Sequence, residues 1–251
     1  MSTYTIYPEV DGWAEAFSSN QYFSDLVAAD GTNSSESGGM AFRIESHSVL
    51  DEYNYIRRGL GYYDTSVIES TEAPYDALVS MVLDSKVNEW SFDPYLGIYN
   101  HVGSQETTIV NADYQRCTDT ILISPIIALS SMTAGGRVAW TWSATLSKLQ
   151  LINKEGYTTI CLREVSHDAN DSAPTWENNK NMQAIFRGVE YTGTTSDPYL
   201  QVFTTASPLN AGVKVGDQIY GLLTAHVNVG DVWYEVTLGD VNVADTWYDI
   251  L

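Results

Sequence analysis

Val138-Ala139-Trp140-Thr141-Trp142-Ser143-Ala144-Thr145-Leu146 decides how the chain is read. Val138, Trp140, Trp142, Ala144 and Leu146 alternate with small or hydroxylated residues, which is the two-residue side-chain period of a half-buried strand. Trp140 and Trp142 then share one face and read as core. Outward from this run the same period recurs. Val79, Met81 and Leu83 alternate with Ser80, Val82 and Asp84, Thr158 to Val165 is rich in β-branched residues, and Leu200 to Thr205 alternates again. Between these stretches lie turn signals at Asp30-Gly31, Ser37-Gly38-Gly39, Gly135-Gly136, Asn153 to Gly156 and Asp197-Pro198. Many strands with short polar punctuation and scarce helical periodicity predict an all-β sandwich or barrel.

Two stretches do not show the period. Ser2 to Asp30 carries Tyr4, Ile6, Tyr7, Trp13, Phe17, Tyr22, Phe23 and Leu26 without a clear repeat, and reads as first strands with a short helix or as an arm on a neighbour. Ser166 to Asn181 is polar, interrupted by Pro174, and reads as a long loop in which Trp176 needs cover.

Composition narrows the classes. With 251 residues, 44 % hydrophobic and including 17 Tyr, 7 Trp and 6 Phe, the chain can bury a core, which excludes whole-chain disorder. The longest apolar run, Ile121 to Leu129, falls short of the ~18 to 20 residues of a membrane helix and contains Pro125. The first residues carry neither a basic nor an apolar leader segment, so the expectation is a chain that keeps them. Twelve Lys and Arg against 32 Asp and Glu give a formal charge of −20, which disfavours nucleic acid and anionic membrane surfaces as partners. Cys117 and Cys161 are too few for a disulfide framework and read as buried free thiols, while whether the two meet is left open by the sequence.

The C-terminus holds an internal repeat. Val213-Lys214-Val215-Gly216-Asp217, Val227-Asn228-Val229-Gly230-Asp231 and Val241-Asn242-Val243-Ala244-Asp245 recur every fourteen residues, followed by Ile219-Tyr220, Trp233-Tyr234 and Trp247-Tyr248. Gly-Asp between a Val-x-Val run and an aromatic run has the composition of a two-residue hairpin turn. Each unit is thus two short strands, and three units make a small meander. Neighbouring strand residues face opposite ways, so one member of each aromatic pair needs cover elsewhere, on the body or on another subunit. Trp233, Tyr234, Trp247 and Tyr248 are therefore the subunit-interface candidates. The resulting organisation is residues 1–39 as arm or first strands, 40–205 as the body and 206–251 as the hairpin repeat.

The sequence points to no catalytic residue, no metal site and no cofactor. There is no H-E-x-x-H, G-x-S-x-G, Walker A loop or dinucleotide fingerprint. His47, His101, His167 and His226 are far apart and read as surface residues. Ser166-His167-Asp168 is no triad, because adjacent side chains do not converge. Asp168-Ala169-Asn170-Asp171 has the oxygen ligands calcium prefers, but lacks the glycine and distal glutamate of an EF-hand loop and reads as a solvated polar loop. Asp64-Thr65-Ser66 reads as a side-chain-capped turn. Arg57 and Arg58 are expected to pair with carboxylates, one on each face of a strand.

Tyr55-Ile56-Arg57-Arg58-Gly59, followed by Tyr62-Tyr63-Asp64-Thr65-Ser66 and Ile68, resembles the signature of a group of jelly-roll β-sandwich domains from phage virions and bacterial surface proteins. Tyr157 to Arg163 with Asp168, and Glu190-Tyr191-Thr192-Gly193 with Asp197 to Val202, are similar to later strands of that group. The C-terminal units resemble repeats at the ends of phage tail and fibre proteins. This resemblance implies a jelly-roll body with a C-terminal hairpin repeat. It also implies a non-catalytic virion component (capsid decoration, head fibre or tail part), made in the host cytoplasm. Such a component assembles with other virion proteins as a homo-oligomer, with a trimer favoured. The alternative is a carbohydrate-binding module for host-surface glycans, which predicts a sheet face exposing aromatics with Asn, Asp and Gln. An enzyme on the same scaffold would need converging carboxylates with displaced pKa values.

Overall fold

The computed structural model describes residues 1–101, 108–142, 145–190 and 195–206, and from 212 onward the backbone of six strands. The chain runs β1 (Ser2–Ile6), β2 (Pro8–Gln21), α1 (Phe23–Ala28), β3 (Asn33–Ser35), β4 (Ala41–Ser46), β5 (Tyr53–Asp64), β6 (Glu72–Asn88) and β7 (Tyr95–His101). It continues through α2 (Asp113–Arg116), β8 (Cys117–Leu122), β9 (Ile127–Ala128), β10 (Arg137–Thr141), α3 (Leu146–Leu149), β11 (Tyr157–Glu164), β12 (Asn181–Phe186) and β13 (Tyr199–Ala206). The remaining strands are β14 (Gly212–Val215), β15 (Gln218–Gly221), β16 (Ala225–Val229), β17 (Val232–Val236), β18 (Gly239–Val243) and β19 (Thr246–Ile250).

The protein is all-β, with the thirteen body strands in one curled antiparallel sheet whose main path is β1-β13-β6-β12-β4-β5-β11-β7-β8, β10 pairing with β6, β2 with β5 and β3, and β9 with β7. Curling comes largely from β6. Its first part pairs with β13 and β10, and its last part, from Leu83, pairs with β12. One long strand therefore belongs to two layers, and the layers close on each other as in a β-sandwich. Val79, Met81 and Leu83 point into the core as their alternation predicts, and Trp140 meets Phe186 edge-on at 5.6 Å beneath them.

The N-terminal stretch is part of the body. β1 extends the sheet beyond β13, and β2 runs along the whole of β5. Periodicity hid β2 because its buried positions, among them Asp11, Gly12, Ala14, Glu15 and Ala16, are small or charged, while the apolar bulk of Trp13 and Phe17 lies on the face opposite the two alanines. β5 is the hub. Its outer edge pairs with β2, and its other edge pairs first with β4, through Arg57, and then with β11, from Gly59. At that fork a Cβ on Gly59 would lie 3.0 Å from the Ala41 nitrogen and 3.2 Å from Leu162 Cβ, so a side chain has no room there.

Three expectations are corrected. The strand from Val138 ends at Thr141, and Leu146–Leu149 is a single helical turn; Ser143 and Ala144 lie outside the described residues. Both tryptophans are nevertheless core, with Trp142 Nε1 donating to the Lys148 carbonyl at 2.8 Å. Cys117 and Cys161 are not free: they form a buried disulfide with Cα atoms 5.7 Å apart. His101 is not at the surface. Its side chain is fully buried, edge-on to Tyr62, with Nε2 3.5 Å from Asp113 Oδ1, and burial lowers its pKa to about 4. Trp176 does find cover, half-buried against the core.

Candidate functional site

The sequence-predicted interface residues fall on the second strands of the last two C-terminal hairpins. Trp233 and Tyr234 stand on β17 opposite Asn228 and Val227; Trp247 and Tyr248 stand on β19 opposite Asn242 and Val241. Their side chains lie outside the described residues, as do 216–217, 230–231 and 244–245, where the turns were expected. The flanking strands pair Val215 with Gln218, Val229 with Val232 and Val243 with Thr246, the register of a two-residue connection. Each hairpin is a two-stranded sheet of its own.

Arg57 and Arg58 do take opposite faces of β5, and each finds a carboxylate. Arg58 reaches Asp168, its Nη2 donating to Oδ1 at 2.7 Å, and Arg163 Nε donates to Oδ2 of the same carboxylate at 2.9 Å. All three groups are buried. Arg58 also donates to the Tyr114 carbonyl at 2.6 Å and lies 3.9 Å over the Tyr114 ring. Burial opposes ionisation of Asp168, but the two guanidinium groups outweigh it and hold the carboxyl well below its ordinary range. Asp168 is therefore not part of a solvated loop, and both its oxygens are engaged. Glu164 shapes the turn that returns it, accepting from the Ser166 and His167 backbone at 3.0 and 2.6 Å. Among the described residues no group of three His, Cys, Asp or Glu is placed to hold a metal ion. Asp64 caps its turn as expected, accepting from the Ser66 N–H and hydroxyl.

On its other face β5 contributes to a half-exposed platform that sequence reading did not find, with Phe17 and Val87 its most open members and Glu15 buried beneath it. Sheet register puts Phe17, Tyr55, Glu45 and Asn181 in one row, and Glu15, Arg57, Arg43, Gln183 and Val87 in the next. Phe17 stacks on Tyr55 with centroids 4.5 Å apart, and Arg43 lies 4.5 Å over the Tyr55 ring. Arg57 lies 3.7 Å over Trp13 and donates to Glu15 Oε2 at 2.6 Å. Beside Trp13 opens a cavity of about 290 Å³, lined among others by Arg57, Asp84, Ile185, Arg187 and Glu190.

The far wall of that cavity rests on buried acid. Gly38 and Gly39, at φ +87° and +73°, turn the chain so that the Gly38 N–H donates to Glu190 Oε1 at 2.5 Å. Asp11 Oδ2 accepts from Val189 N at 3.1 Å, while its Oδ1 has no hydrogen-bond partner among the described residues and, with Glu190 Oε2, crowds the side of Gly188 where a Cβ would sit. Burial first, and then the charges of Glu190 and Asp197, raise the Asp11 pKa to about 7. Asp11 is thus a carboxyl that holds its proton near neutrality. It is sealed from the cavity, 1 % exposed, and supports the wall rather than facing a ligand. Among the described residues no helix is long and apolar enough to cross a membrane.

No protein-family model matches this chain, and no curated protein matches it in sequence.

Proposed function

We propose that this chain is a non-catalytic structural component of a phage particle, which works by assembling through its C-terminal hairpins into a homo-oligomer, with a trimer favoured. The observation that carries the reading is the row of three sequence repeats, each a two-stranded sheet pairing only within itself among the described residues. An isolated hairpin is marginal in water, and each one leaves two strand edges unpaired. Three copies of the repeat in a closed assembly would supply the missing strands and cover the aromatic pairs. The phage setting rests on the jelly-roll and fibre-repeat resemblance of the sequence. The buried Cys117–Cys161 bond suits a protein whose working life is spent outside a reducing cytoplasm.

Light scattering on the full chain and on a version ending at Thr205 tests the reading. The full chain is expected to be oligomeric and the shortened one monomeric. Two monomers, or one unchanged oligomer, would remove the tail from assembly.

A further inference from the structure

The platform formed by β2, β5, β4, β12 and the end of β6 has a composition that few ligands match. Its aromatic groups are separate stations: Trp13 at the cavity, and the Phe17–Tyr55 pair four residues further along β2, about 13 Å away at strand rise. Between and around them stand planar polar groups already held in pairs. Arg57 pairs with Glu15, Arg43 with Glu45, and Arg187 with Asp84 at 3.2 Å. Gln183 and Asn181 complete the surface, Asn181 accepting from Arg43 at 3.2 Å.

Charge balance on the face disfavours a phosphate or other anion, and the overall charge of −20 disfavours it further. The centre of a protein–protein contact is depleted of charged residues, whereas here each ring is bordered by paired ions. A neutral polyhydroxylated ring suits both kinds of group. Its C–H face packs on an aromatic ring, and its hydroxyls donate to carboxylates and accept from guanidinium groups held in fixed orientation. The cavity, about 290 Å³, is at the small end of ligand sites and suits one sugar ring.

We propose that this face binds a neutral glycan chain, with one sugar ring in the cavity beside Trp13 and further sugars of the same chain resting on the Phe17–Tyr55 ledge. The site is independent of assembly through the tail, so either reading can fail without the other. The rigid pairing around it means that little side-chain order is lost on binding, and the two stations together favour an oligosaccharide over a single sugar.

The test is calorimetric titration of the full chain with short gluco-, xylo-, manno-, galacto- and N-acetylglucosamine oligosaccharides, with saturation-transfer NMR to detect weak binders. At least one should bind at millimolar or lower concentration. Trp13→Ala and Phe17→Ala should each weaken it by roughly tenfold, about 1.4 kcal/mol. Tyr75→Ala, an exposed aromatic elsewhere on β6, should leave it unchanged. Phe17 is 40 % exposed, so its variant keeps the test open if Trp13→Ala folds poorly. The proposal falls if the whole panel fails to bind, or if binding ignores both substitutions. It falls equally if Phe17→Ala disperses the oligomer seen by light scattering, because the face is then a contact between copies.

Discussion

Asp11 and Asp168 are both buried carboxyl groups, and their surroundings drive them in opposite directions. Asp168 sits between Arg58 and Arg163, which overcome the cost of burial and keep it ionised. Its folded pKa lies below the unfolded value, so its contribution is complete above the ordinary carboxyl range and is lost as pH falls through the folded value. Asp168→Asn leaves two guanidinium groups buried against a neutral amide. A loss of about 3 to 5 kcal/mol is expected in urea unfolding at pH 7, and the loss should shrink in acid. Asp11 behaves in the reverse sense. Its pKa is raised to about 7 by burial and by Glu190 and Asp197, against 3.8 for the ordinary group. Between roughly pH 4 and pH 7 the folded chain therefore keeps a proton that the unfolded chain releases, and stability falls as pH rises through that window. Asp11→Asn removes the penalty while keeping an oxygen for the Val189 N–H. The variant should match the parent near pH 4 and exceed it above pH 7, by up to about 4 kcal/mol. An amide variant less stable at pH 8 would contradict this account.

Elements respond at the places where non-local strands meet. The Cys117–Cys161 bond joins β8 to β11 across the intervening β7, closing a sequence separation of 44 residues. Replacing both cysteines with serine should lower stability by about 2 to 4 kcal/mol in non-reducing urea titrations, and reduction should reproduce the effect. Gly59→Val should cost about 1 to 3 kcal/mol, because its side chain would meet the Ala41 backbone and Leu162 at the fork where β4 gives way to β11. The sequence made β6, β11 and β13 legible, β6 and β13 through bulky apolar residues at alternate positions and β11 through its β-branched run, although that strand is buried continuously from Ile160 to Glu164. It overextended β10, because Ser143, Ala144 and Thr145 suit alternation, and the four residues of Leu146–Leu149 are too few to show a helical period. It left the bond between the cysteines open, since their spacing carries no information about cross-strand distance. The platform was illegible for a related reason. Trp13, Arg43, Arg57 and Gln183 are scattered along the chain, and only the sheet order β2-β5-β4-β12 brings them side by side. Asp168 was misread because charge in a polar stretch ordinarily means solvent, and only the return of the turn onto Arg58 and Arg163 buries it.

At the scale of the whole molecule, charge opposes the assembly proposed for the tail. The segment after Ala206 carries Asp217, Asp231, Glu235, Asp240, Asp245 and Asp249 against Lys214 alone, within a chain already at −20. Bringing copies together through that segment concentrates like charge at the contact, a cost that grows as screening weakens. The Debye length rises from about 8 Å at physiological salt to about 30 Å at 0.01 M, which exceeds the separation of neighbouring hairpins in any packed assembly. Lowering sodium chloride over that range should therefore shift the full chain toward smaller species in light scattering, while the version ending at Thr205 keeps its mass. Magnesium matched for ionic strength should restore the oligomer no better than sodium if screening alone is at work. A clear excess for magnesium would place a bridging cation among the hairpins, and an oligomer indifferent to salt would mean that the contact is made away from the acidic tail.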